Sequence, residues 1–124
     1  MKNLWLIDDD PIFRYVFRQI VESHNLADEY LEFENGELGY HTLIHRIQLQ
    51  QQPDIILLDI NMPVLNGWGF LEKIANIRHD DLKAKIYMIS SSIAETDQQE
   101  TNKFPMLEGY VNKPICVDKI CALL

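Results

Sequence analysis

Apolar residues come along this chain in two rhythms. Short unbroken runs at Leu4–Ile7, Ile55–Leu58 and Ile86–Ile89 suit strands buried on both faces, as in a parallel sheet covered by helices. Leu26–Phe33 mixes Tyr30, Leu31 and Phe33 with acids and reads as a more exposed strand, while Tyr110-Val111 reads as a short fifth. Between these runs the spacing turns helical. Ile12, Phe13, Val16, Phe17, Ile20 and Val21 predict a helix to about Ser23 with its apolar stripe on the sheet. Leu38, Leu43, Ile44 and Ile47 predict a second helix after the Asn35-Gly36 turn. It has an exposed glutamine-rich tail, Gln48 to Gln52, and Pro53 stops it. Phe70, Leu71, Ile74 and Ile77 predict a third from Gly67 to Ile77. Glu95 to Lys103 reads as a nearly all-polar fourth, and Ile115 to Leu124 as a short last helix. Strand followed by helix, five times over, predicts an α/β fold: a parallel, doubly wound sheet with right-handed crossovers.

Under that fold the strands end in polar residues at one edge. The first gives Asp8 and Asp9, the third Asp59, the fourth Ser90 and the fifth Lys113. Carboxyl ends of parallel strands all point one way, so these side chains converge where open α/β sheets bind ligands. Each has a plainer reading alone. Asp59 suits a strand-end turn, Tyr110 a packed strand aromatic, and Ser91 and Ser92 polar loop positions. Asp10 suits a helix cap, with Pro11 at the first helical position.

Three carboxylates a few ångströms apart repel by on the order of a few kcal/mol per close pair. They either take up protons, with raised pKa values, or bind a divalent cation. Their ligand atoms are hard oxygens with no Cys or His in the pattern, which selects Mg²⁺, with Mn²⁺ or Ca²⁺ as substitutes. A Mg²⁺ site beside a free carboxylate, a lysine and a hydroxyl is a phosphoryl-transfer site in outline. Asp59 is then the nucleophile, Ser90 a donor to a phosphoryl oxygen and Lys113 a charge neutraliser.

The motifs Ile7-Asp8-Asp9-Asp10-Pro11, Leu58-Asp59-Ile60-Asn61-Met62-Pro63 with Asn66-Gly67, Ile89-Ser90-Ser91 and Tyr110-Val111-Asn112-Lys113-Pro114 form an ordered set. In that set the chain resembles the CheY-like receiver domains of two-component response regulators over essentially its whole length. The resemblance implies a flavodoxin-like (βα)5 fold with strand order 2-1-3-4-5. It implies that Asp59 is the phosphoacceptor, that Asp9 binds Mg²⁺ directly and Asp8 through water, and that the backbone carbonyl of Asn61 completes the metal site. Ser90 and Tyr110 match the switch pair, Lys113 the phosphate-pairing lysine, and Asn61 and Ser92 positions that tune dephosphorylation. The Lys113–Pro114 bond matches one that is cis in the family. The implied partners are a histidine kinase or histidine phosphotransfer protein as donor and a downstream protein as receiver of the signal. The chain also departs from the pattern. Asp8 and Asp59 stand 51 positions apart (59 − 8), a little long, with the extra residues assigned to the glutamine-rich tail. Lys103 to Gly109 lacks the usual small-residue turn.

Length and charge narrow the rest. A chain of 124 residues, 47% hydrophobic, predicts one domain with a proper core, and the resemblance implies that it is a receiver domain with no output domain expected in this chain. A net charge of −8 without a basic stripe argues against direct nucleic acid contact. No stretch is long enough to span a bilayer, and the expected location is cytoplasmic, with Cys116 and Cys121 as reduced, buried thiols. His41 and His45, with Glu37, lie four apart on the second helix, a spacing that fits either a transition metal or a solvated face. Trp5 and Trp68 read as packing. Two other functions fit part of the pattern. Asp8-x-Asp10 resembles the nucleophile motif of haloacid-dehalogenase phosphatases, though without its threonine or a cap domain. A pseudo-receiver would bind without being phosphorylated.

Overall fold

The computed structural model describes residues 2–62, 64–78, 80–91 and 103–124. Five strands, β1 (Asn3–Ile7), β2 (Glu29–Phe33), β3 (Ile55–Asp59), β4 (Lys85–Ser90) and β5 (Leu107–Asn112), form one parallel sheet in the order β2-β1-β3-β4-β5, as expected. Helices α1 (Pro11–Ser23), α2 (Gly36–Gln48), α3 (Gly67–Ile74) and α4 (Val117–Leu123) cover it. Asp10 caps α1 by accepting from the Ile12 amide at 2.9 Å. Asn35 caps α2 through the Leu38 amide at 2.9 Å and Asn66 caps α3 through the Gly69 amide at 2.8 Å.

Successive strand residues face opposite sides, and the core divides accordingly. Trp5, Ile7, Ile56, Leu58, Ile86 and Met88 pack with Leu43 of α2 and Phe70, Leu71 and Ile74 of α3. Leu4, Leu6, Ile55, Leu57 and Ile89 pack with Phe17 and Val21 of α1 and Ile115 and Ile120. Residues 55–58 are essentially sealed from water, which explains their unbroken apolar run. Edge strand β2 is half-buried throughout.

Several expectations need correction. Ile12 and Val16 are exposed (73% and 50%) together with Tyr15, and Leu38 is also exposed. The apolar stripe of α1 is wider than the sheet can cover, so only its Phe13, Phe17, Ile20 and Val21 side is used. Cys116 and Cys121 are free and exposed, not buried, because the short α4 turns Ile120 inward. The second strand starts later, at Glu29, the third helix stops at Ile74, and β5 is longer than Tyr110-Val111. The glutamine tail is not idle: the Gln52 amide donates to Asp81 O at 2.8 Å and accepts from the Lys83 and Ala84 amides at 2.8 and 3.0 Å. The expected fourth helix over 95–103 and Ser92 fall outside the described residues, except Lys103, which lies in a turn.

Candidate phosphoacceptor and metal site

The central strands β1 and β3 are neighbours in register Ile7↔Leu58, so Asp8, just past β1, lies beside Asp59, the last residue of β3. Asp9 follows on the way into α1. Ligand oxygens of Asp8, Asp9 and Asp59 all fall within 4.8 Å of one another. Asp8 is fully buried, Asp59 is 7% exposed and Asp9 faces solvent.

Local bonds hold Asp8 rigidly. Its amide donates to Phe33 O at 3.0 Å, its Oδ1 accepts from the Asp10 amide at 2.9 Å, and Arg14 Nη1 donates to its backbone carbonyl at 2.7 Å. Its Oδ2 is sealed from water. It faces the Lys113 ammonium at 2.9 Å, which is also 3.9 Å from Asp59 Oδ2. Lys113 is brought there by the end of β5. Its amide donates to Ser90 O at 2.8 Å, and the Lys113–Pro114 bond is cis, as the resemblance implied.

Burial pushes the Asp59 carboxyl up to about 7, with Asp8 and then Asp9 adding repulsion. Lys113 and the Asn61 amide oppose the rise. The strand-end carboxylate is thus pushed towards neutrality. Asn61 is exposed, two residues beyond Asp59. Ser90 is fully buried at the end of β4, one step past the Asp59↔Ile89 pair. Tyr110 is half-buried, pairs with Met88, and packs on the α2–α3 side of the core.

Gly67 keeps the loop after Asp59 close to the strand. A Cβ there would lie 2.6 Å from Asp59 O and 2.5 Å from Met88 Cε, and the Gly67 amide donates to Ile60 O at 2.8 Å. Nearby Val64 is 80% exposed with φ of 71°, a backbone region that β-branched residues rarely adopt.

The structure thus gathers Asp8, Asp9, Asp59 and Lys113 at one rim, with Ser90 at the adjoining strand end. Sequence reading missed Arg14 and Phe13, whose ring centroid is 4.3 Å from the Lys113 ammonium. Neither has a local signal, since both partners lie outside its helix. His41 does not join a metal cluster among the described residues: it faces Glu37 at 3.2 Å on the surface, and Glu37 also takes Lys73. A hollow of about 490 Å³ lined by Ile47, Gln52, Asp54 and Lys83 lies at the opposite end of the sheet, away from the carboxylates.

Comparison with known proteins agrees with this geometry. The response regulator receiver domain family matches residues 4–124. The chain belongs to that family. It is 36% identical over 97 residues to the nitrate/nitrite response regulator protein NarL of Escherichia coli, covering 77% of this chain and 40% of NarL. It is 28% identical over 116 residues to the chemotaxis protein CheY of Halobacterium salinarum, covering 91% of this chain and 85% of CheY. The two component response regulator from Cytophaga hutchinsonii superposes with a TM-score of 0.83 at 26% identity, over 98% of this chain and 92% of that one. The chain therefore spans well under half of the nitrate/nitrite regulators it matches. It is a receiver domain of two-component signalling with the five-stranded flavodoxin-like fold of that family. No helix among the described residues is long and apolar enough to cross a membrane.

Proposed function

We propose that this domain is a phosphoacceptor switch: Asp59 takes a phosphoryl group from a histidine kinase or a histidine phosphotransfer protein, and the signal leaves through contact with another protein. The observation that carries the reading is the ring of charge about Asp59, with Asp8 and Asp9 within 4.8 Å and the Lys113 ammonium at 3.9 Å. The donors fit a hard divalent cation, Mg²⁺ or Mn²⁺. They are all carboxylate oxygens, gathered within 4.8 Å of one another. Asp9 and Asp59 would hold the ion with the Asn61 carbonyl, and Asp8 would act through water. A cation held there would supply positive charge to offset that on the transferring group.

The chain's own residues do the rest. An Asp59 oxygen attacks phosphorus, forming the P–O bond as the donor's P–N bond breaks, and the electron pair stays on the donor imidazole. The attacking form is the ionised carboxylate, so the burial that raises its pKa also makes it a stronger nucleophile once the cation is present. Lys113 pairs with the new phosphoryl oxygens, the Ser90 hydroxyl donates to one of them, and Tyr110 answers by turning inward. The exposed Ile12, Tyr15 and Val16 give α1, which begins beside Asp9, an apolar rim on which a donor protein can rest.

A phosphatase reading with Asp8 as nucleophile has no support in the geometry. That carboxylate is sealed, and one of its oxygens is committed to the Asp10 amide. The test is intact-mass measurement after incubation with acetyl phosphate and Mg²⁺. Wild type gains one phosphoryl group and Asp59→Asn gains none. An unmodified wild type, in the presence of a donor that labels a control receiver, leaves the pseudo-receiver reading.

A further inference from the structure

The Lys113 ammonium has a third neighbour besides its two carboxylates. The ring of Phe13, in the first turn of α1, lies with its centroid 4.3 Å from Nζ, inside the range of a cation–π contact. Phe13 is firmly seated. It stacks on Phe17 (6.1 Å, 29°), which stacks on Tyr30 (5.8 Å, 30°), and Phe17 is 2% exposed. The face offered to the ammonium is the end of a three-ring stack anchored between α1 and β2. The lysine side chain is 19% exposed, so the contact is only partly screened by water.

The three partners differ in what happens to them when the site works, on the reading proposed above, on which this inference rests. Asp8 would turn part of its charge towards a bound cation. Asp59 becomes esterified. Both ion pairs of Lys113 are therefore altered in the step where its position counts. The π face of Phe13 changes charge in neither step. We infer that Phe13 is a positioning residue for phosphoryl transfer: its ring holds Lys113 in place when the carboxylates are engaged, so that the ammonium meets the phosphoryl oxygens without a search.

Plain packing of Phe13 against the lysine stem predicts the same distances but a different response to electron withdrawal. Phe13 is replaced by its mono-, di- and trifluorinated analogues, which keep the ring's shape while draining its negative face. Beryllofluoride affinity with Mg²⁺ is read by calorimetry, and acetyl phosphate labelling by rate. Both should weaken progressively along the series, by roughly three- to tenfold at the last member, with melting temperatures unchanged, and the trend should vanish in a Lys113→Ala background. Without any metal, the Lys113 ε-methylene protons should resonate upfield from the ring current and return to ordinary shifts in Phe13→Leu. A flat fluorine series, even with a weakened Phe13→Leu, overturns the inference, as do unshifted ε protons. A wild type that binds no beryllofluoride overturns the phosphoacceptor reading instead, and this one with it.

Discussion

Replacing Asp59 by Asn should stabilise the metal-free protein, and the gain should depend on pH in a defined way. In the folded state the carboxyl ionises at about 7 against an ordinary value of 3.8. The first cause is burial, which together with repulsion from Asp8 outweighs the pull of Lys113. The sign follows from linkage. Below about pH 4 both folded and unfolded chains are protonated and nothing is lost. Between 4 and 7 the unfolded chain ionises while the folded one resists, so wild-type stability falls. Above 7 the penalty is complete. At about 1.36 kcal/mol per pH unit, the folded state loses on the order of 1 to 2 kcal/mol at pH 5 and about 4 kcal/mol at pH 8. Asp59 is 7% exposed but lies at a rim beside the solvent-facing Asp9, so water screens part of the penalty and these magnitudes are upper bounds. Urea unfolding with a chelator should show Asp59→Asn ahead of wild type by about 2 to 3 kcal/mol more at pH 8 than at pH 5. Millimolar Mg²⁺ should close much of the gap by stabilising wild type through binding. A gap that is the same at both pH values, or a less stable variant, refutes the reasoning.

Three further outcomes follow from the same coordinates. Gly67→Ala drives a methyl onto Asp59 O and Met88 and should cost about 2 kcal/mol in urea unfolding. Val64→Gly should raise stability by about 1 kcal/mol, because it releases the left-handed strain at φ of 71° and loses little buried surface at 80% exposure. Lys113→Ala leaves the sealed Asp8 without its cationic neighbour at 2.9 Å. It should cost on the order of 2 kcal/mol at neutral pH without metal and less with Mg²⁺, as read from melting temperatures in the two buffers.

Much of this molecule is legible from one sequence because the central strands are sealed on both faces. Ile55–Leu58 has no alternative burial, and the acids that end such strands must share a rim. That logic carries Asp8, Asp9, Asp59 and Lys113. It fails where apolar residues outnumber the surface available to cover them. Periodicity on α1 does not say that Ile12 and Val16 are the ones left outside. It also fails where the partner is a backbone group far along the chain. The Gln52 amide binds residues 81, 83 and 84, which no pattern in a glutamine run announces. The Phe13–Lys113 contact is hidden for the same reason, since α1 and the end of β5 meet only in three dimensions.

The most direct measurement is the site of attachment. After reaction with acetyl phosphate and Mg²⁺, acyl phosphates are trapped with borohydride and the peptides mapped. The account predicts a single trapped residue, Asp59. A label on Asp8, or none while Mg²⁺ still binds, contradicts it.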